Sequence, residues 1–182
     1  MLFKSCGFCA AIILLLSIQA PASTVLMSYD VTDLGGHVYR YDYSIYNNGT
    51  LGAGVPIRLF DVLFDPAIYQ ESSLLIVTPS SLQAQWSEFL LTSALGVPAL
   101  YDVMAPNGGI PDGSTVSGFA VQFAWLGQGD PGFQPFKIYS PDDYVLLQSG
   151  DTVNTDVPEP SVFCVLGISL AYGAWKIRRR RV

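Results

Sequence analysis

The stretch VYRYDYSIY, residues 38–46, alternates large apolar and polar side chains with a period of two. Because successive side chains of a strand point to opposite faces of a sheet, this alternation predicts a β-strand with one buried face. The buried face would consist of Tyr39, Tyr41, Tyr43 and Ile45, opposite Arg40, Asp42 and Ser44. Asn47-Asn48-Gly49 follows and predicts a turn, since Asn and Gly tolerate positive φ angles.

Similar alternation recurs along the chain. Its apolar faces are Val25, Met27, Tyr29 and Val31; Phe60, Val62 and Phe64; and Phe119, Val121, Phe123 and Trp125. Weaker strand candidates lie at 74–77, 99–104, 136–139 and 144–147, with Pro- and Gly-rich turns between the segments. Many short strands with such turns predict an all-β domain, a β-sandwich of Ig-like or similar type, whose aromatic faces form the layer between two sheets.

Residues 80–93 leave two interpretations open. Leu82, Trp86 and the Phe89-Leu90 pair have helical spacing, and Ser80 or Ser81 is a suitable N-cap for a short helix. A strand that contains Trp86 is the alternative.

The first 22 residues are typical of a secretory signal peptide with a short signal helix. Lys4 gives a positive start, residues 10–18 form an apolar run, and Ala20 and Ala22 are the small residues that a signal peptidase requires. We expect cleavage after Ala22. A retained N-terminal membrane helix is the alternative.

The last 26 residues combine VPEPS (157–161), an apolar run at 162–175 and a basic cluster. The run would span ~21 Å as a helix, less than the ~30 Å core of a bilayer. A buried core helix of that length is possible, but a basic cluster suits lipid headgroups better than a packed core. The sequence therefore predicts one short transmembrane helix. Its membrane flank is Trp175, Lys176, Arg178, Arg179, Arg180 and Arg181.

This tail resembles the PEP-CTERM sorting signal of exported proteins from Gram-negative-type bacteria. The matching residues are Val157, Pro158, Glu159, Pro160 and Ser161, followed by the apolar run and the terminal arginines. The resemblance implies that an exosortase-like membrane transpeptidase recognises the Pro-Glu-Pro residues and processes the chain there. It also implies a role in biofilm or exopolysaccharide biology.

The predicted organisation has five parts. They are a signal peptide at 1–22, a β-sandwich ectodomain at 23–152, a linker with the Pro-Glu-Pro motif at 153–161, a transmembrane anchor at 162–177 and a basic cytoplasmic tail at 178–182. The protein would be exported, held at the inner membrane by its C-terminus, and then released to the cell surface or exterior.

The charge and the positions of the cysteines exclude some classes of partner and site for the middle segment, residues 23–156. Residues 23–156 carry three basic residues against 14 acidic ones, a formal net charge of −11. Such an acidic domain argues against nucleic acid as a partner. The three cysteines, Cys6, Cys9 and Cys164, all lie in the predicted signal or anchor, so the middle has no disulfide and no thiolate metal site. We predict no cofactor.

Candidate catalytic and metal-binding residues in the middle segment are few. His37 is the single histidine and lies at a predicted turn. Asp61 and Asp65 would share one strand face and are possible glycosidase carboxylates, but we expect both to face solvent. Asp142-Asp143, with Asp130, is a weak calcium candidate without an EF-hand pattern.

The tryptophans raise one further possibility. Trp86 and Trp125 are candidates for a sugar-stacking surface, although Trp125 continues a core-facing row. The sequence as a whole favours a non-enzymatic cell-envelope or extracellular-matrix protein. The alternatives are a carbohydrate-binding or adhesive module and a secreted hydrolase. Its predicted partners are signal peptidase, the exosortase-like enzyme, the membrane and, through the resemblance, exopolysaccharide.

Overall fold

A computed structural model describes residues 25–155 of the chain. This segment forms ten strands and one single-turn helix. In chain order they are β1 (Leu26–Gly35), β2 (Val38–Tyr46), β3 (Leu59–Phe64), β4 (Tyr69–Ile76), α1 (Ser80–Gln83), β5 (Ser87–Leu91), β6 (Ala99–Met104), β7 (Thr115–Trp125), β8 (Pro135–Tyr139), β9 (Leu146–Asp151) and β10 (Val153–Asn154).

The strands form two five-stranded sheets. The first sheet has the order β10-β1-β2-β7-β4, and the second has the order β5-β6-β3-β8-β9. Every pair of neighbours is antiparallel except β1 and β10, which run parallel. The all-β prediction is therefore confirmed.

Aromatic side chains hold the two sheets face to face in a sandwich-like arrangement. Phe60 of the second sheet meets Phe119 of the first, with ring centroids 5.2 Å apart. Tyr43 and Tyr101 stack across the same interface at 6.4 Å. The faces of alternating apolar residues that the sequence predicts are buried on β2, β3 and β7. Burial of these large rings supplies most of the driving force for packing.

The predicted strands at 38–46 and 99–104 coincide with β2 and β6. The candidate at 144–147 is shifted, because its strand begins only at Leu146. Tyr144 has a positive φ of 54° and donates its backbone N–H to the Ser140 carbonyl, 2.9 Å away. The turn therefore extends to Val145, whose carbonyl accepts a hydrogen bond from the Ser140 N–H.

The ambiguous segment contains both predicted elements in succession. The helix ends after one turn at Gln83, and strand β5 starts at Ser87, where pairing with β6 satisfies its backbone. Trp86 lies between them rather than in the strand. The predicted serine cap is wrong: Pro79 occupies the N-cap position, and no side chain caps the helix.

The first sheet continues beyond residue 152, the predicted end of the ectodomain. Val153 and Asn154, at the start of the predicted linker, form β10 on the open edge of β1. Thr152, just before them, is buried. The folded unit therefore includes the first residues of the segment that the sequence predicts as linker.

No helix within residues 25–155 has the length and apolar character needed to span a bilayer. The predicted signal helix at 1–22 and the predicted transmembrane anchor at 162–177 lie outside the described residues.

Candidate functional site

The structure fixes the point from which the C-terminal segment leaves the sandwich. The backbone of β10 pairs with β1 so that Val153 faces Ser28 and Asn154 faces Tyr29. The N–H of Thr155 then donates to the Tyr29 carbonyl over 3.1 Å. Three sets of predicted residues lie outside the part of the chain that the structure describes. They are the processing residues 157–161, the membrane flank at 175–181 and the cleavage residues Ala20 and Ala22.

The exit strand is held by buried hydrogen bonds at its base. The N–H of Thr152 donates to the Gln134 carbonyl, and the Gln134 N–H donates to the Thr152 hydroxyl, each over 2.9 Å. The Gln134 amide also donates to the Tyr69 hydroxyl at 3.0 Å. The exit point is therefore part of the core rather than a loose extension.

The tyrosines around Gln134 serve as structural donors and acceptors. The Tyr41 hydroxyl donates to the Gly132 carbonyl over 2.7 Å and lies 3.2 Å from the Tyr69 hydroxyl. Burial raises the pKa of Tyr41 and of Tyr43 well above the ordinary value of 10.0. Both phenols therefore keep their protons at any physiological pH, which excludes them as bases.

A pair of carboxyl groups lies side by side in the second sheet. Asp61 of β3 faces Asp102 of β6 in the strand register, and Lys137 of β8 faces Asp61 from the other side. Burial, followed by the hydrogen bond to Asp102, raises the pKa of Asp61 to about 7, with Lys137 opposing the rise. Burial also raises the pKa of Asp102.

Because the two carboxyl groups interact, the raised pKa belongs to the pair rather than to one residue. Two carboxyl groups in contact share a proton, because both cannot be ionised so close together. Oδ1 of Asp61 is buried and has no hydrogen-bond partner, and such burial favours the neutral form of the carboxyl group. The expectation that Asp61 faces solvent is therefore wrong: β3 is the central strand of its sheet, and its neighbours cover the side chain.

Asp61 and Asp65 do not form the carboxylate pair that a glycosidase would need. Strand β3 ends at Phe64, so Asp65 lies in the following loop. There its side chain accepts a hydrogen bond from the Ala67 N–H at 2.9 Å, which is the role of a turn-starting residue.

His37 and Asp143, one of the candidate calcium residues, have local structural partners. His37 lies exposed in the β1–β2 turn at φ 63°, and its carbonyl accepts the Trp125 N–H at 2.8 Å. A hydrogen bond from Ser140 lowers the pKa of Asp143. Asp143 also accepts a hydrogen bond from the Val145 N–H, so its side chain belongs to the turn before β9. Within residues 25–155, no three His, Cys, Asp or Glu side chains come together as a metal site would require.

Both candidate tryptophans lie in the core. Trp86 packs edge-on against Phe119, at 5.1 Å between ring centroids, and against Phe60 at 6.2 Å. Trp125 packs against Tyr69 at 5.0 Å and donates its indole N–H to the Gly129 carbonyl over 2.8 Å. Neither ring presents a free face of the kind that stacks on a sugar.

A polar bridge between the sheets was not predicted from the sequence. The Thr78 hydroxyl, which follows β4, donates to Oε2 of Glu88 in β5 over 2.7 Å, and Tyr101 also donates to Glu88. The Ala120 N–H of β7 donates to Thr78 at 2.9 Å. The sequence of β5 has no clear alternation, so no local pattern indicates that Glu88 is half-buried and bound to two hydroxyl groups.

Two open clefts lie beside the loops near Trp125. One, of about 340 Å³, is lined mainly by apolar residues that include Ile68, Trp125 and Phe133. The other, of about 460 Å³, lies between Asp65 and the loop that contains Leu95. Neither His37 nor the Asp61–Asp102 pair lines either cleft. Tyr69 lines the first cleft, and burial raises the pKa of its phenol, whose oxygen accepts a hydrogen bond from the Gln134 amide.

Comparisons with known proteins add little. No protein-family model matches the chain, and no curated protein matches it. Among solved structures, the chain is similar to a GH20 exo-β-N-acetylglucosaminidase from Vibrio harveyi. An inactive mutant of that enzyme gives a TM-score of 0.37, and its complex with N-acetylglucosamine gives 0.36, both at 10% identity. The match covers 73% of this chain but only 18% of the enzyme, and a likeness this weak carries no argument about activity.

Proposed function

We propose that the chain is an exported cell-envelope or extracellular-matrix protein that a C-terminal sorting signal delivers to exosortase-type processing. One observation carries the proposal: a Pro-Glu-Pro motif, a short apolar run and a basic cluster follow one another in residues 157–181. Each feature alone is common. Their order is what a processing signal needs, namely an extended recognition site, a membrane stop and a charge that fixes orientation.

The physical properties of each part fit its proposed role. Pro158 and Pro160 disfavour helix and keep the backbone extended, so that an enzyme can bind it as a strand. The apolar run is short for a bilayer, but the lysine and arginines beyond it can extend to the headgroups and hold it there. A signal peptide cleaved after Ala22 would bring the chain to the correct side of the membrane.

The ectodomain has the properties that this route requires. Its net charge of −11 favours solubility outside the cytoplasm, and it contains no cysteine that oxidation would alter. Strand β10 brings the chain to the domain surface directly before the proposed motif. We further propose that the two sheets form an Ig-like or similar β-sandwich whose role is structural, in biofilm or exopolysaccharide material.

The alternatives have less support from the side chains. A carbohydrate-binding module would have to recognise sugar without Trp86 and Trp125, which are core residues. A hydrolase would need carboxyl groups that converge in a cleft, whereas Asp61 and Asp102 pair within a sheet. We therefore favour a non-enzymatic role.

The proposal is tested by changing the motif in cells that contain the processing enzyme. The triple variant Pro158→Ala, Glu159→Gln, Pro160→Ala should remain in the membrane fraction as the larger, unprocessed form. Pro141→Ala, which changes a proline in an ectodomain loop, is the matched control and should be processed like the wild type. Equal processing of all three proteins would refute recognition of the motif.

A further inference from the structure

We infer that one end of the sandwich rests on the bilayer surface, with the tips of its loops in the headgroup region. This hairpin end consists of the β1–β2 turn at 35–37 and the loops at 65–68, 92–98 and 126–134. The inference rests on the proposed function, because it requires the C-terminal segment to be anchored in a membrane.

Backbone contacts join these loops into one surface. The Trp125 N–H donates to the His37 carbonyl over 2.8 Å, and the Leu126 N–H donates to the Ile68 carbonyl over 2.9 Å. The 460 Å³ cleft lies between Asp65 and the loop at 93–98. The loops that connect strands at the opposite end, 47–58 and 140–145, adjoin a separate cleft that Arg58 and Pro141 line.

The direction of the exit strand points the chain toward the hairpin end. Because β10 runs parallel to β1, the chain at Thr155 is heading along β1 toward Gly35. Asn154 lies beside Tyr29, and the six steps from Tyr29 to Gly35 span ~20 Å at ~3.4 Å per residue. From Asn154 to Val162, the first residue of the apolar run, the chain has eight steps.

The length of this connection limits how far the domain can stand from the membrane. Even fully extended, the eight steps from Asn154 to Val162 reach only ~27 Å. An extended connection along β1 would therefore bring Val162 at most ~7 Å beyond the tip of the β1–β2 turn. Because each headgroup region is ~5–7 Å deep, the loops at this end reach the headgroups when Val162 lies at the boundary of the hydrocarbon core.

The loop tips carry the side chains that such a contact requires. Leu126 is 57% exposed and Phe133 is 63% exposed, and Leu34 and Leu95 are also exposed at this end. Exposed apolar side chains in neighbouring loops suit the boundary between headgroups and acyl chains. The opposite end also has exposed apolar residues, including Val145 at 53%, so exposure alone does not decide which end meets the membrane. The direction in which β10 runs favours the hairpin end.

The charges at the hairpin end select the kind of lipid surface. Asp33, Asp65 and Asp130 lie in or beside these loops, and Arg40 on β2 pairs with Asp42 at 2.7 Å. A surface with this excess of carboxylates is repelled by anionic headgroups. The contact therefore fits a zwitterionic bilayer surface and depends on apolar side chains rather than on charge.

The test places a fluorescent label at matched positions on the two ends. The anchored protein, with Cys6, Cys9 and Cys164 replaced by serine, is reconstituted into phosphatidylethanolamine–phosphatidylcholine vesicles. Leu126→Cys, Phe133→Cys and Val145→Cys each give one site for an environment-sensitive dye. All three positions are exposed loop residues, and Val145 is the control for exposure and apolar character.

The expected result is loss of fluorescence at positions 126 and 133 when the lipids carry a headgroup-level quencher, with no loss at 145. The loss should weaken when anionic lipid replaces the zwitterionic lipid. Protein that floats with the vesicles but shows equal quenching at all three positions would overturn the orientation and leave the anchor intact. Protein that does not float would refute the anchor itself, and the orientation with it.

Discussion

Replacing Asp61 with asparagine should stabilise the ectodomain at alkaline pH. Asp61 and Asp102 share a proton in the second sheet, and burial raises the pKa of Asp61 to about 7. A folded acid with a raised pKa binds its proton more tightly than the unfolded chain does. Its contribution to the free energy of unfolding is therefore present in full below about pH 4 and is lost as the pH rises through about 7. Asparagine keeps the size and a donor for Asp102 but never ionises.

The size of the effect follows from the pKa difference. A difference of one pKa unit between the folded and unfolded states corresponds to ~1.4 kcal/mol. The rise in the pKa of Asp61 from 3.8 to about 7 therefore limits its effect on the free energy of unfolding to ~4 kcal/mol when Asp61 acts alone. Because Asp102 shares the proton and Lys137 offsets part of the charge, we expect about half of that limit, ~2 kcal/mol.

Urea unfolding of an ectodomain of residues 23–155 at pH 5 and pH 8 measures this difference. About two thirds of the effect falls between these pH values, so wild type should lose ~1.3 kcal/mol more stability than Asp61→Asn does. Asp151→Asn, which removes the same charge from an exposed position of the same sheet, should follow the wild type. The reasoning is refuted if Asp61→Asn and Asp151→Asn have the same pH dependence. A carboxyl NMR titration that places the Asp61 midpoint near 4 would refute it independently.

Two further substitutions test the packing. Trp86→Ala should cost ~3–5 kcal/mol in urea unfolding, because it leaves a cavity between Phe60 and Phe119; a folded variant of unchanged stability would show that the ring is not in the core. Gly109→Ala should cost clearly more than the ~1 kcal/mol expected of Gly129→Ala. Both glycines have positive φ, but a Cβ at Gly109 would overlap the Ile57 carbonyl, whereas one at Gly129 meets open space. Equal costs would contradict the close approach at Gly109.

The strands with clear period-two alternation were predictable from the sequence. Strand β2 alternates buried and half-buried residues along its length, and its predicted ends at 38 and 46 are the observed ones. A strand that is covered on one face leaves this pattern in its sequence, because each residue must suit either core or solvent.

Other features depend on contacts between residues that lie far apart in the chain. Asp61 is buried because β6 and β8 flank it, and its partner Asp102 is 41 residues away. Strand β10 has only two residues, and it forms because β1 offers an unpaired edge. An edge strand of that length carries no periodic signal, so the sequence predicts a linker there.

Intact mass of the mature protein, from cells with and without the processing enzyme, tests the sorting signal most directly. We predict a C-terminus within or next to residues 157–161 when the enzyme is present and at Val182 when it is absent. If residues 161–182 persist in both cell types, with the protein in the membrane fraction, the tail is a plain single-pass anchor and the proposed processing is contradicted.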